Sequence, residues 1–109
     1  MSSERISALL TMLERGQDSA LLRFSLGNEY LGIKSHDEAI RHLRCAIELD
    51  RKYSAAWKLL GRSLAEKGRE DEAILVYRDG IEVAEQHGDR QAAKEMNVFL
   101  KRLKKKQNG

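Results

Sequence analysis

The sequence predicts an all-α fold, a right-handed stack of antiparallel helix pairs that contains about six helices. Three observations support this prediction. The 109 residues include no proline and are rich in Ala, Leu, Glu, Lys and Arg, the residues that favour helices. A stretch of the chain recurs after 34 residues, a period typical of helical repeats. Apolar residues in each copy recur at intervals of three and four, as they do along one face of an amphipathic helix.

The first element is an N-terminal flanking helix, predicted over residues 3–15. Its apolar stripe consists of Ile6, Leu9, Leu10 and Leu13, which are spaced as on one helical face. No basic leader or small-residue cleavage pattern accompanies this stripe. It therefore predicts a structural helix and not a signal peptide.

The central elements are two repeated helix pairs, predicted over residues 20–53 and 54–87. The sequence LGNEYLGIKSHDEAI begins at Leu26 and LGRSLAEKGREDEAI begins at Leu60, and six of their fifteen letters are identical. A single pair of this kind cannot bury its apolar stripe alone. We therefore expect the two units to stack on each other.

The turn inside each helix pair is predicted from glycine. Gly32 and Gly68 lie near the end of the first helix in each unit. A helix often ends with a residue in the left-handed conformation, which glycine adopts without a steric penalty. We therefore expect both glycines to adopt that conformation.

The last element is a C-terminal capping helix with a basic tail, predicted over residues 90–106. Two repeats alone are fewer than the roughly three that a stable stack normally needs. We therefore expect the two flanking helices to cover the open ends of the stack, so that residues 1–109 form one domain.

The composition limits the environment in which the chain is expected to work. No run approaches the roughly 20 apolar residues that a membrane-spanning helix needs. Cys45 is the only cysteine, which excludes an internal disulfide and fits a reducing compartment. These features predict a cytoplasmic protein.

The second unit supplies most of the pattern W-x2-L-G-x2-Y, A, F, A and Pro that marks one class of repeat. The matching residues are Trp57, Leu60, Gly61, Leu64, Ala73, Tyr77 and Gly80. Those of the first unit are Leu26, Gly27, Tyr30, Ala39, Leu43 and Ala46, followed by the ending AIELD. On these residues the chain resembles the tetratricopeptide repeat (TPR) family. It departs from the pattern at Arg23, where Trp is expected, and at Arg51, where Pro is expected.

This resemblance implies a binding scaffold and not an enzyme. In such proteins the first helices of successive repeats line a concave groove that takes an extended peptide or a partner helix. The groove residues implied here are Leu21, Phe24, Asn28, Leu31, Lys58 and Arg62. We therefore expect an adaptor whose partner is another protein or peptide.

Lys58 and Arg62 give the sharpest hypothesis within this set. They lie four residues apart and share one helical face, with Asn28 expected on the neighbouring helix. Two cations and an amide donor suit a carboxylate, so an acidic partner segment is expected. Only Asn28 matches the residues by which chaperone-binding members of the family clamp a carboxylate, so that clamp is not predicted. The alternative for the two cations is solvated surface charge, and for Phe24 and Leu31 it is core packing.

The basic tail gives a second functional hypothesis, from a different class of protein. Its cations are Lys101, Arg102, Lys104, Lys105 and Lys106, which give residues 101–109 a charge of +5 in a chain of net charge +3. Such a tail is suited to a polyanion, either nucleic acid or an anionic membrane surface. The alternative is a helix end whose cations complement the helix dipole. No aromatic stacking platform or nucleic-acid motif accompanies the tail, so nucleic acid and membrane are the less favoured partners.

Metal binding and catalysis find little support in the sequence. His42 and Cys45 lie three residues apart on one predicted helix, but no second pair stands at the spacing of a four-ligand site. No nucleophile motif or phosphate loop is present. We therefore predict no metal, no cofactor and no catalytic residue. The oligomeric state is left open between a monomer and a weak homodimer.

Overall fold

Six α-helices follow one another in the computed structural model, which describes residues 2–109. They are α1 (Ser2–Glu14), α2 (Ala20–Gly32), α3 (His36–Leu49), α4 (Ser54–Glu66), α5 (Glu70–Gln86) and α6 (Arg90–Asn108). No strand occurs among the described residues, and the prediction of an all-α stack is confirmed. Met1, the first residue of the predicted domain, lies outside the described part of the chain.

The helices pack as pairs in two layers. α2 packs on α3 and α4 packs on α5, while contacts between α3 and α4 and between α5 and α6 join the pairs. α1 packs on α2 at the N-terminal end. In the layer of α2, α4 and α6, the backbones of neighbouring helices also approach each other closely, whereas within residues 2–109 the backbones of α3 and α5 stay further apart. The stack therefore curves towards α2, α4 and α6, and we call the surface of these three helices the inner face.

Glycine sets the short distance within each helix pair. Gly27 on α2 faces the Leu43 side chain of α3, and Gly61 on α4 faces the Tyr77 ring of α5. A Cβ atom at either glycine would lie closer than 3.0 Å to those buried side chains. The two glycines are 34 residues apart, so both repeats use the same close approach.

Trp57 joins the second repeat to the turn that precedes it. Its side chain is only 4% exposed, and its Nε1 donates a hydrogen bond of 2.9 Å to the Arg51 carbonyl oxygen. The Arg51 guanidinium also lies over the indole, 5.2 Å from the ring centroid. The buried ring therefore contributes apolar packing without leaving its N–H group unpaired.

The first repeat has a polar network at the equivalent position. Arg23 donates to both carboxylate oxygens of Asp18, at 2.9 and 3.1 Å. Its Nη1 also lies 3.1 Å from Nδ1 of His42, a fully buried ring that stacks on Tyr30. Because a guanidinium only donates, Nδ1 accepts and the neutral ring carries its hydrogen on Nε2. Burial, followed by the charges of Arg41 and Arg23, lowers the pKa of His42.

The turn inside the first pair corrects one prediction. Gly68 has a positive φ of 89°, as expected, but Gly32 is the last helical residue of α2. The left-handed residue of the first turn is instead Lys34, with a φ of 61°. Lys34 and Gly68 are 34 residues apart, so the two repeats share one turn geometry. The prediction for Gly32 is wrong because the turn follows the register of the repeat and not the nearest glycine.

Candidate partner-binding site

The N-terminal part of the inner face is partly apolar. Leu21 on α2 is 64% exposed, and Asn28, two turns later, is also exposed. Phe24 is half-buried and stacks on the Tyr53 ring, with 4.9 Å between ring centroids. Leu31 is only 5% exposed, because it continues the buried stripe of α2. Three of the four predicted α2 residues thus keep side-chain surface that a partner could contact. Leu31 lies in the core and contributes little to a groove.

Lys58 and Arg62 lie on α4, and each already has an acidic partner. Lys58 Nζ is 3.0 Å from Glu95 Oε1 on α6, and Arg62 Nε is 2.8 Å from Glu66 Oε2. The hydrogen bonds from these cations lower the pKa of both carboxyl groups. In the described chain no hydrogen bond links Asn28 to either cation, so the three residues do not form one cluster. A partner carboxylate would compete with these internal acids, and an exposed pair of this kind contributes only about 0–1 kcal/mol.

An apolar crevice opens on the inner face between α4 and α6, with a volume of about 210 Å³. We call it the α4–α6 crevice. Its apolar lining is Ala65, Tyr77, Phe99 and Leu103, and its charged rim is Arg62, Glu66 and Arg102. Tyr77 and Phe99 stack with 5.9 Å between ring centroids, and burial raises the pKa of Tyr77 to about 12, which keeps the phenol neutral. Sequence reasoning missed this crevice because its walls come from three different helices.

The predicted basic tail forms the last turns of α6. This helix continues to Asn108, and its end lies against the start of α5. Lys106 Nζ is 2.6 Å from Glu70 Oε2, and the Gln107 amide donates to Asp71 Oδ1 at 2.9 Å. The exposed cations of these turns are Lys101, Arg102, Lys104, Lys105 and Lys106. The tail is therefore helical and packed against the stack, and among the described residues one of its five cations, Lys106, has an acidic partner.

His42 and Cys45 lie on the same helix, α3, but in different surroundings. His42 lies beside Arg23 and Arg41, and its Nε2 is 3.4 Å from Arg41 Nη2 and 3.9 Å from Glu38 Oε2. Cys45 is a free, half-buried thiol. Among residues 2–109, no three His, Cys, Asp or Glu side chains are grouped as metal ligands. In the same residues, no helix combines the length and the apolar character that crossing a membrane requires.

The fold and the inner face define a helical repeat protein, in which two similar helix pairs stand between two single helices. The sequence model of the tetratricopeptide repeat matches residues 20–53 and 54–87, which together are more than half of the chain. The chain belongs to the tetratricopeptide repeat family. Repeats of this family mediate protein–protein interactions, and their fold is typically a non-catalytic scaffold.

Individual relatives and solved structures agree with this membership. The chain is 46% identical over 98 residues to the TPR repeat-containing protein PA0015 of Pseudomonas aeruginosa, with 90% of this chain and 93% of that protein covered. The solution structure of protein BPP2914 from Bordetella parapertussis is similar with a TM-score of 0.82 and 40% identity, covering 93% of this chain and 88% of that one. A crystal structure of a tetratricopeptide repeat domain protein from Salinibacter ruber is similar with a TM-score of 0.74 and 25% identity, covering 80% of this chain and 97% of that one.

Proposed function

We propose that this chain is a non-enzymatic adaptor that binds an extended segment or a helix of a partner protein on its inner face. The observation that supports this proposal is the set of inner-face side chains that remain exposed after the fold has formed. Leu21 is 64% exposed, and the Arg62 side chain is 60% exposed. Large exposed apolar side chains and exposed guanidinium groups are both frequent at protein interfaces.

The inner face offers two kinds of chemistry along its length. The α2 part presents Leu21 and the edge of Phe24, which suit an apolar side chain of the partner. The part between α4 and α6 presents Lys58, Arg62 and Arg102, which suit an acidic segment. A partner segment that is apolar at one end and acidic at the other is therefore the favoured occupant.

The experiment that tests this proposal uses the protein as bait in a lysate of the source organism. The Lys58→Gln/Arg62→Gln double variant removes two inner-face cations, whereas replacement by Glu would place like charges beside Glu95 and Glu66. A matched control, Arg44→Gln/Arg78→Gln, removes the same charge from exposed positions on α3 and α5.

We expect a partner that wild type and control capture and that the Lys58→Gln/Arg62→Gln variant loses. Leu21→Ser serves as a second inner-face variant, and thermal unfolding by circular dichroism checks that every variant is folded. A captured protein that neither inner-face change affects would contradict the proposal.

The polyanion hypothesis for the tail is tested with a separate variant and a binding assay of its own. The triple variant Lys101→Gln/Lys104→Gln/Lys105→Gln keeps α6 and its contact with α5 while removing three exposed cations. Binding to heparin or to anionic vesicles that falls steeply with salt and disappears in this variant would favour the tail over the inner face. Under our proposal the variant captures the same partner as wild type.

A further inference from the structure

We propose that the α4–α6 crevice binds a partner segment that places one apolar side chain directly beside a carboxylate. This inference rests on the proposed function and specifies which chemistry the inner face selects. The crevice combines an apolar interior with guanidinium groups at its edge, a combination typical of sites that bury an apolar group and orient it with a few polar contacts.

The interior of the crevice has the shape and chemistry for one large apolar side chain. Tyr77 is 2% exposed and forms the base, and Phe99 and Leu103 on α6 stand opposite Ala65 on α4. Ala65 has a small side chain, which leaves the volume of about 210 Å³ between the two helices. Because this volume is open on the inner face, an aliphatic or aromatic side chain can enter it and lose contact with water.

The rim attracts an anion, although it contains one acid of its own. Glu66 is held by two partners, since Arg62 Nε lies 2.8 Å from Oε2 and His36 Nε2 lies 3.1 Å from Oε1. Arg62 therefore keeps its terminal N–H groups for another acceptor. Arg102 lies over the Phe99 ring, 5.8 Å from its centroid, and forms no ion pair within residues 2–109.

The surrounding charge strengthens this preference for an anion. Residues 96–108 of α6 contain five cations and no acid. A carboxylate that reaches Arg102 thus meets no acidic neighbour on that helix, and guanidinium groups bind carboxylates through paired hydrogen bonds. The carboxylate and the apolar side chain must come from adjacent positions of one segment, because the rim directly borders the apolar lining.

The probes that test this inference are small molecules that carry the two groups together or apart. N-acetyl-leucine joins an isobutyl side chain to a carboxylate, N-acetyl-leucinamide lacks the charge, and acetate lacks the side chain. Acetyl-Glu-Leu-amide offers the carboxylate from a side chain, and so separates an internal acidic residue from a chain terminus. Each is titrated into the ¹⁵N-labelled full chain at constant ionic strength, up to about 50 mM, because ligands of this size bind in the millimolar range.

We expect saturable shifts of the amide resonances of Ala65, Arg102 and Leu103 with at least one of the two probes that carry both groups. The amide and acetate probes should bind about tenfold more weakly, because each lacks half of the interaction. The probe that binds more tightly identifies the source of the carboxylate. Equal shifts with the amide probe, or no saturable shift with any probe, would overturn the inference.

Two pairs of variants locate the binding. Ala65→Leu fills the crevice and should abolish the shifts, whereas Ala55→Leu makes the same change at the other end of α4 and should not. Arg102→Gln should weaken binding about tenfold, whereas Arg90→Gln removes the same charge elsewhere on α6 and should have little effect. Equal effects within either pair would contradict binding in the crevice.

The same variants separate this inference from the proposed function. Suppose that the partner is captured by Ala65→Leu as strongly as by wild type but is lost with Leu21→Ser. The inner face then binds the partner outside the crevice, and only the inference fails. Loss of capture with Ala65→Leu but not with Ala55→Leu supports both.

Discussion

The turn at Lys34 allows a sharp test of how the repeat shapes the backbone. Lys34 has a φ of 61°, in the region that a side chain disfavours, whereas the equivalent position in the second repeat is Gly68. The Lys34 side chain is exposed and makes no hydrogen bond or ion pair within the described residues. Lys34→Gly therefore removes backbone strain without removing a hydrogen bond or an ion pair.

The size of the effect follows from two opposing contributions. A non-glycine residue in the left-handed conformation costs about 1–2 kcal/mol. Glycine removes this strain, but its greater freedom in the unfolded chain lowers the free energy of unfolding by about 0.4–1 kcal/mol and offsets part of the gain. We expect Lys34→Gly to raise the free energy of unfolding by about 0.5–1 kcal/mol. With a urea slope of about 2 kcal/mol per molar, the unfolding midpoint should rise by about 0.4 M.

Lys52→Gly is the matched control for this measurement. Lys52 is an exposed lysine in the turn after α3, it is not among the residues with positive φ, and its backbone N–H donates to Asp50 Oδ1 in a bond that glycine retains. The same chemical change should there lower the free energy of unfolding by about 0.4–1 kcal/mol, because only the unfolded-state term remains. Two Lys→Gly changes with the same sign in urea unfolding would refute the reasoning.

Three further predictions concern packing and charge. Trp57→Ala should lower the free energy of unfolding by about 3–5 kcal/mol, since it removes a buried ring; a near-neutral result in urea unfolding would show that the ring does not support the fold. Gly61→Ala should cost about 1–3 kcal/mol because its Cβ would press on the Tyr77 ring, whereas Gly32→Ala, with open space around it, should gain up to about 1 kcal/mol in helix propensity. Equal melting temperatures for these two alanine variants would contradict that account. The folded-state pKa of His42 is lowered from 6.5, so its contribution to stability is present above pH 6.5 and is lost as the pH falls. Between about pH 6.5 and 5, wild type should lose more stability than His42→Gln, and parallel curves would argue against a buried neutral ring.

The fold was predictable because its determinants are local. The period of the apolar residues and the glycines at 27 and 61 depend only on spacing along the chain. Both features can therefore be recognised in one sequence without a structure. Which apolar residues stay at the surface is a different matter. Leu21 and Leu31 lie on the same helix, yet one is exposed and the other buried, because the position of the neighbouring helices decides which side of α2 is covered.

The partner of Lys58 was not predictable, because it depends on the register of α6. α5 has 17 residues where α3 has 14, so the final helix does not follow the 34-residue period. Glu95 therefore could not be assigned to Lys58 by counting, although it lies 3.0 Å from it. The α4–α6 crevice depends on the same register of α6, so its lining could not be predicted from the sequence either.

Arg23 stands where the second repeat has Trp57, and we expect these equivalent positions to respond differently to ions. The second repeat relies on an apolar ring, Trp57, whereas the first relies on the Asp18–Arg23–His42 network. Guanidinium chloride screens charges while it denatures, and urea does not. Because a repeat stack can lose its units one at a time, guanidinium should loosen α2 and α3 before α4 and α5, while urea should unfold both repeats closer to a single transition. The same backbone position is thus stabilised by charges in one repeat and by an apolar ring in the other.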